Sequence, residues 1–230
     1  VLAISHFHAD HASDIPAILW SGFIVGREKE LTLIGPSGDS DHPNVSSFIS
    51  SLFDKNDGAF DAVSAAKTNV VTAEADESKV ASVYKKGDLE VLALGVPHTG
   101  IPTLAFRVNK GETSIAFGGD QSGKNPSFTS FVSGADVLVM HLAISETAGQ
   151  AAGGQEPLTN VHAPPSIVGK IASAAKPGTL VLSHLIGLEP NHPKASSFSL
   201  HDLKSNVDIV RKHYSGSLIV AEDLLCVAVK

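Results

Sequence analysis

ISHFHADH, residues 4–11, gathers His6, His8, Asp10 and His11 within six consecutive positions, at the end of an apolar run, VLAIS, and ahead of a helical pattern, DIPAILWSG. The cluster therefore belongs in a strand-to-helix connection, the kind of segment on which sites are built. Two apart on extended chain, His6 and His8 point the same way, while Asp10 and His11 turn to another side as the chain bends. Two sets of ligands result. Neutral imidazole suits zinc, and a carboxylate supplies the negative charge that a second divalent ion needs nearby.

The same chemistry recurs where other apolar runs stop: His98 after LEVLALGVP, Asp120 after TSIAFGG and His184 after TLVLS. Groups at the ends of several strands converge on one rim of a sheet. Gly118 and Gly119, ahead of Asp120, leave room for a close approach, read from the sequence as the approach of backbone to a cofactor. GGDQSGK, residues 118–124, matches the first seven positions of a phosphate-cradling loop. Asn125 stands where such a loop needs a magnesium-binding hydroxyl and Pro126 follows, so no nucleotide role is expected. His42, His192, His201 and His213 fall in polar loops or on an amphipathic helix and read as solvated. Trp20 and Phe23 read as core residues, with a pocket wall as the alternative.

Around these groups the chain alternates. Strand-like runs at VLAIS and LTLIGP enclose the DIPAILWSG helix, and a helix from Pro43 to Phe53 follows, with apolar Val45, Phe48, Ile49 and Leu52 at helical spacing. AFDAVSAA reads as another helix. The middle is β-rich (NVVTAEA, VASVYKKG, DLEVLALGV, TLAFRVNKG, ETSIAFGG), with hairpin turns at Lys85–Asp88 and Asn109–Glu112. The last third returns to alternation through VLVM, PPSIVGKIASAA, TLVLSH, LHDLKSNVDIVRKHY and a long final strand, SLIVAEDLLCVAV. Apolar runs of this kind suit sheets covered on their faces, and a sheet-on-sheet core flanked by helices is one arrangement they allow, an open α/β sheet the other.

Composition narrows the class. A length of 230 residues suits one domain, 1–230, and 43% hydrophobic with 18% charged residues is a globular balance. No apolar run approaches the roughly 20 residues that span a bilayer, so a soluble protein is expected, in cytoplasm or periplasm alike. A formal charge of −7 without a basic cluster argues against a partner bound through many phosphates. The one cysteine, Cys226, permits no internal disulfide and reads as core packing. Val1 opens directly into an apolar strand with no starting methionine, so the numbering is expected to begin inside a longer product.

ISHFHADH, VPHTG, FGGDQSG and LVLSHL, in this order and at these strand ends, resemble the metallo-β-lactamase fold hydrolases, especially the ribonuclease Z-like branch. The resemblance runs from Ile4 to the final strand. It implies an α/β fold, a four-layer αβ/βα sandwich whose first strands are missing here. It also implies that His6, His8 and His98 hold one metal, that Asp10, His11 and His184 hold another, and that Asp120 bridges them. ADVLVMHLAI resembles the branch's His-Glu-Ala-Thr stretch, which places His141 at its histidine and Leu142 at its glutamate. NVHAPPS aligns with the later histidine motif and makes His162 a candidate proton donor. Asp10, His141 and His162 are thus the candidate catalytic residues. The long arm that grips transfer RNA in many ribonuclease Z enzymes has no room between His98 and Asp120.

The expected activity is that of a dinuclear hydrolase in which a metal-activated water attacks a small ester, phosphodiester, lactone or β-lactam. Its cofactors would be two divalent ions, zinc first, with manganese or iron as alternatives. The expected partner is a small molecule, with neither a membrane nor transfer RNA, and a homodimer stays open. An iron-dependent oxidative enzyme and a non-catalytic binding module on the same fold are the competing readings.

Overall fold

The computed structural model describes residues 1–65, 67–146, 158–186 and 202–229. Its strands form two sheets. β1 (Leu2–Ala3), β2 (Leu31–Pro36) and β3 (Thr68–Ala73) make a small parallel sheet in that order. Seven strands make the other: β4 (Ala81–Lys86), β5 (Leu89–Gly95), β6 (Leu104–Lys110), β7 (Thr113–Phe117), β8 (Val137–His141), β9 (Thr179–Ser183) and β10 (Ser217–Val220). They lie in the order β10-β9-β8-β7-β6-β5-β4, antiparallel from β4 to β7 and parallel from β7 to β10.

The apolar runs read as continuous because both faces of each sheet are covered. Neighbouring residues on one strand go to different cores, as a two-residue repeat dictates. On β2, Leu33 packs outward with Ile15 and Leu19 of α2 (Ile15–Ile24) and with Val45, Ile49 and Phe53 of α3 (Val45–Phe53). Ile34 points inward and meets Val91, Ala93, Leu104 and Phe106 of the larger sheet. Ala105 and Leu94, on that sheet's far face, join a third core with α4 (Phe128–Phe131), α5 (Pro165–Ala175) and α6 (Leu203–His213). Helices, sheet, sheet and helices give four layers, so the sandwich expectation holds and the open sheet does not.

Both hairpin turns use their glycines at positive φ, Gly87 at +60° and Gly111 at +58°, where a Cβ is disfavoured. Three local expectations change. Pro43 lies before the helix; Asn44 is the cap, its side chain accepting from the Ser47 N–H. AFDAVSAA yields only a 3-10 turn, Ala62–Ala65, because Asp61 accepts the Val63 N–H at its start and Lys67, at φ +60°, redirects the chain into β3. The last strand ends at Val220, since its neighbour β9 offers one further rung, Ala221 N–H to the Leu182 carbonyl. Beyond it the backbone leaves the sheet, and Cys226 is exposed instead of packed.

Candidate metal centre

The topology puts the C-terminal ends of β1, β5, β7, β8 and β9 on one rim. His6 and His8 lie on the extended chain leaving β1, and His8 is the residue before α1 (Ala9–Ala12), a short helical turn carrying Asp10 and His11. That switch from extended to helical chain aims the two pairs differently. His98 comes from the loop after β5, Asp120 follows β7, His141 ends β8 and His184 follows β9 at φ +52°, a strained conformation for a residue with a Cβ. His162 sits between a 3-10 turn, Leu158–Asn160, and α5.

These side chains meet. His8 Nδ1 is 2.9 Å from His6 Nε2 and 3.3 Å from His98 Nε2. On the other side His184 Nε2 is 3.1 Å from His11 Nε2 and 3.2 Å from Asp10 Oδ2. One oxygen of Asp120 lies between the groups, 3.3 Å from His11 Nε2, 3.4 Å from His184 Nε2 and 3.9 Å from His98 Nε2. Three sets of donor atoms result: His6, His8, His98 and Asp120; Asp10, His11 and His184; and Asp120, His141 and His162. Several imidazole nitrogens and carboxylate oxygens converging at about 3–4 Å fit a divalent cation, whose ligand bonds of about 2 Å place donors at such spacings.

The electrostatics favour the same occupant. Burial, reinforced by the neighbouring imidazoles His11 and His98, pushes the His6 pKa down to about 3. Burial also lowers His98. Both rings are therefore neutral, with a lone pair for a metal. Burial alone would raise Asp120, but the His11 hydrogen bond and the surrounding imidazoles hold it well below the usual carboxylate range. For His11 burial is outweighed by Asp120 and Asp10, which raise it.

Orientation comes from backbone groups that sequence reasoning missed, because a carbonyl carries no residue signature. His98 Nδ1–H donates to the Val161 carbonyl at 2.7 Å, fixing the tautomer that turns Nε2 into the centre. Ser5 Oγ meets His6 Nδ1 at 3.0 Å. His141 donates from Nδ1 to the Gly119 carbonyl and accepts the Ala163 N–H at Nε2, both at 3.0 Å. Both ring nitrogens of His141 are thus engaged by backbone groups, which ties the Asp120 loop to the turn after His162. His162 is 4% exposed, and its buried Nδ1 has no partner and lies 3.9 Å from Asp120 Oδ2.

Other readings shift too. The room left by Gly118 and Gly119 is used by the protein itself: a Cβ on Gly119 would come within 2.8 Å of the Leu104 carbonyl, and one on Gly118 within 2.7 Å of Met140 Sδ. In the phosphate-loop lookalike, Asn125 is buried and donates to the Gly95 and Glu77 carbonyls. Trp20 and Phe23 are exposed and line neither cavity beside the site. His42 pairs with Asp39 in a surface turn, and His213 is exposed. His192 and His201 lie outside the described residues. No helix among the described residues is long and apolar enough to cross a membrane.

Residues 1–185 match the family model of the beta-lactamase superfamily domain. No curated protein matches the chain. Solved structures do. The metallo-β-lactamase fold protein YhfI from Bacillus subtilis is 19% identical, with a TM-score of 0.65 over 96% of this chain and 74% of its own. The short form of human tRNase Z is 17% identical, at 0.67 over 99% and 78%. Zn2+-bound PqqB from Methylobacterium extorquens is 14% identical, at 0.58 over 97% and 68%. At such identities the likeness speaks to the fold, and it agrees with the family match over four-fifths of the sequence: the chain belongs to the metallo-β-lactamase superfamily.

Proposed function

We propose that the chain is a dinuclear zinc-dependent hydrolase of the ribonuclease Z-like branch, acting on a small ester, phosphodiester, lactone or β-lactam. Asp120 carries this reading, as one buried carboxylate whose oxygen lies between two sets of imidazoles. His6, His8 and His98 would hold one ion, Asp10, His11 and His184 the other, and Asp120 both. When bound, a divalent pair supplies a water acidic enough to act near neutral pH and an electrophile for the oxygen under attack.

The chain's own groups do the rest. Neutral His6 and His98 present lone pairs, and the Val161 carbonyl stops His98 from turning away. His162, its pKa pushed down to about 3 by burial and by neighbouring His141, is a neutral imidazole whose N–H can reach a leaving group. Leu142, fully buried, stands where the branch places a glutamate, so no carboxylate at that position supports a charged His162. A weak donor of this kind serves substrates with good leaving groups.

A cavity of about 790 Å³ opens beside His98 and carries Asp39, Glu74, Asp76 and Glu77 against one cation, Lys124. Such a lining repels polyanions, transfer RNA among them, and suits small substrates of low negative charge. The test is elemental analysis of purified protein together with turnover of phosphodiester, lactone and β-lactam reporters. About two zinc ions per chain with turnover of one reporter is the expected result. Stoichiometric iron with oxygen uptake would replace the hydrolase with an oxidative enzyme, and a metal-free protein that added zinc does not load would leave a binding module.

A further inference from the structure

The cavity beside His98 is bounded by the loops that leave β2, β3 and β5 at their C-terminal ends, so both sheets contribute to it on the rim that carries the metal centre. Its acidic wall is the segment after β3, Glu74 to Glu77. That segment is fixed in place. The Asp76 carbonyl accepts the Gly95 N–H at 2.9 Å, and the Glu77 carbonyl accepts from Asn125 Nδ2 at 3.0 Å. Gly95 must lack a side chain, since a Cβ there would come within 2.4 Å of the Ala75 backbone. Asn125, 4% exposed, uses the rest of its amide on the Gly95 carbonyl and the Ser127 N–H. The residue that disqualifies GGDQSGK as a phosphate loop therefore ties the acidic segment to β5.

Two carboxylates on this wall have no use within the protein. Asp39 and Asp76 are held in their own turns, Asp39 by Asp41 and His42, Asp76 by Ser78. Glu74 and Glu77 are exposed, and their side chains have no hydrogen bond or ion pair among the described residues. Lys124, the cation of the lining, donates to neutral Asn160 instead. A second, independent group lines the same space. Ser122 is 3% exposed, and its Oγ is buried without a partner among the described residues. Its N–H donates to the Pro97 carbonyl at 2.9 Å, which fixes the free hydroxyl beside the His98 loop. An unpaired buried hydroxyl is costly until something bonds it.

We infer that this cavity recognises a primary ammonium group: the substrate of the proposed hydrolase, a reading on which this rests, carries an amine that faces Glu74 and Glu77 and an oxygen that bonds Ser122. Three features select that group. Two unpartnered carboxylates accept the several N–H bonds that a primary ammonium donates. The lining contains no Phe, Tyr or Trp, and so lacks the aromatic faces on which a quaternary ammonium sits. The acids also do not gather for a metal ion: among the described residues, the donor sets within metal-binding reach are those of the centre, and none includes Asp39, Glu74, Asp76 or Glu77. A volume of about 790 Å³ suits a small molecule.

The test is binding, read apart from turnover. Aminopentanol and its uncharged isostere hexanol are titrated into isotope-labelled protein as purified, and amide chemical shifts are followed by NMR. Aminopentanol should shift the amides of residues 74–77 and 122–124 and bind about tenfold more tightly than hexanol, each exposed carboxylate contributing up to about fivefold. High salt should shrink that preference. The double variant Glu74→Gln, Glu77→Gln, altered only at exposed positions, should bind the two probes within about twofold of each other. Ser122→Ala should weaken both probes about 3–10-fold and keep their ratio. Equal affinities, no saturable shift at up to about 50 mM, or a preference that survives the double variant, as it would if the amine bound the metal, would overturn the inference. A charge-selective site in a protein that turns over no reporter would remove the hydrolase and leave the pocket. Turnover without that selectivity would remove the pocket and leave the hydrolase.

Discussion

The two halves of the candidate metal centre are built to different standards. His6 is fully buried and His98 1% exposed, and each has its outer nitrogen engaged, by Ser5 and by the Val161 carbonyl. Across Asp120, His11 and His184 are nearly a fifth exposed, the Asp10 side chain is 63% exposed, and His184 Nδ1 is buried without a partner. Hydrogen bonds to the outer nitrogen fix a ring before any ion arrives and strengthen it as a ligand. His6 and His98 are held by such bonds; Asp10, His11 and His184 lie closer to solvent.

The largest effect should come from removing what the halves share. Asp120→Ala is expected to cut turnover about 1,000-fold or more and to reduce bound metal in both halves, with the circular dichroism spectrum retained; a fully active variant would remove the bridging role. Asp10→Asn should act on the open half alone, weakening one ion about 10–100-fold while the other stays, read as a two-step release to a graded chelator. Loss of both ions together would mean that the halves are not separable. Ser5→Ala should touch the closed half only and lower its affinity by about tenfold, in the same titration.

A separate effect, on stability and not on metal affinity, concerns the metal-free protein. His6, His141 and His162 are held at about 3, 4 and 3 by burial, against 6.5 in the unfolded chain. As pH falls below about 6.5 the unfolded state takes up protons that the folded state refuses. Stability therefore declines from about pH 6.5 toward about 4, by up to about 1.4 kcal/mol per pH unit for each ring. Melting in chelator at pH 7.5 and 5.5 should show the lower pH less stable, and added zinc should narrow the gap by occupying the lone pairs. A flat profile would show that these rings are hydrated.

Much of this was legible in the residues. ISHFHADH declares itself because four side chains of metal-ligating type on one short connection have few other uses, and His98, Asp120 and His184 stand out by ending apolar strands. The strands could be read because burial on both faces makes them continuously apolar. What stayed hidden depended on atoms or partners that no residue letter encodes. The Val161 and Gly119 carbonyls that orient two histidines look like any others, and Asn44 rather than Pro43 starts its helix because of a side-chain bond. SLIVAEDLLCVAV reads as one strand until the length of β9 limits the ladder. Trp20 looked like core because hydrophobicity does not say which neighbour covers it.

His141 has a consequence for motion. Its ring is pinned between the carbonyl before Asp120 and the amide after His162. The loop carrying Asp120 and the turn carrying His162 are thereby tied to one ring. A displacement of either would be carried to the other, so the spacing between Asp120 and His162 depends on a residue that lies outside both segments.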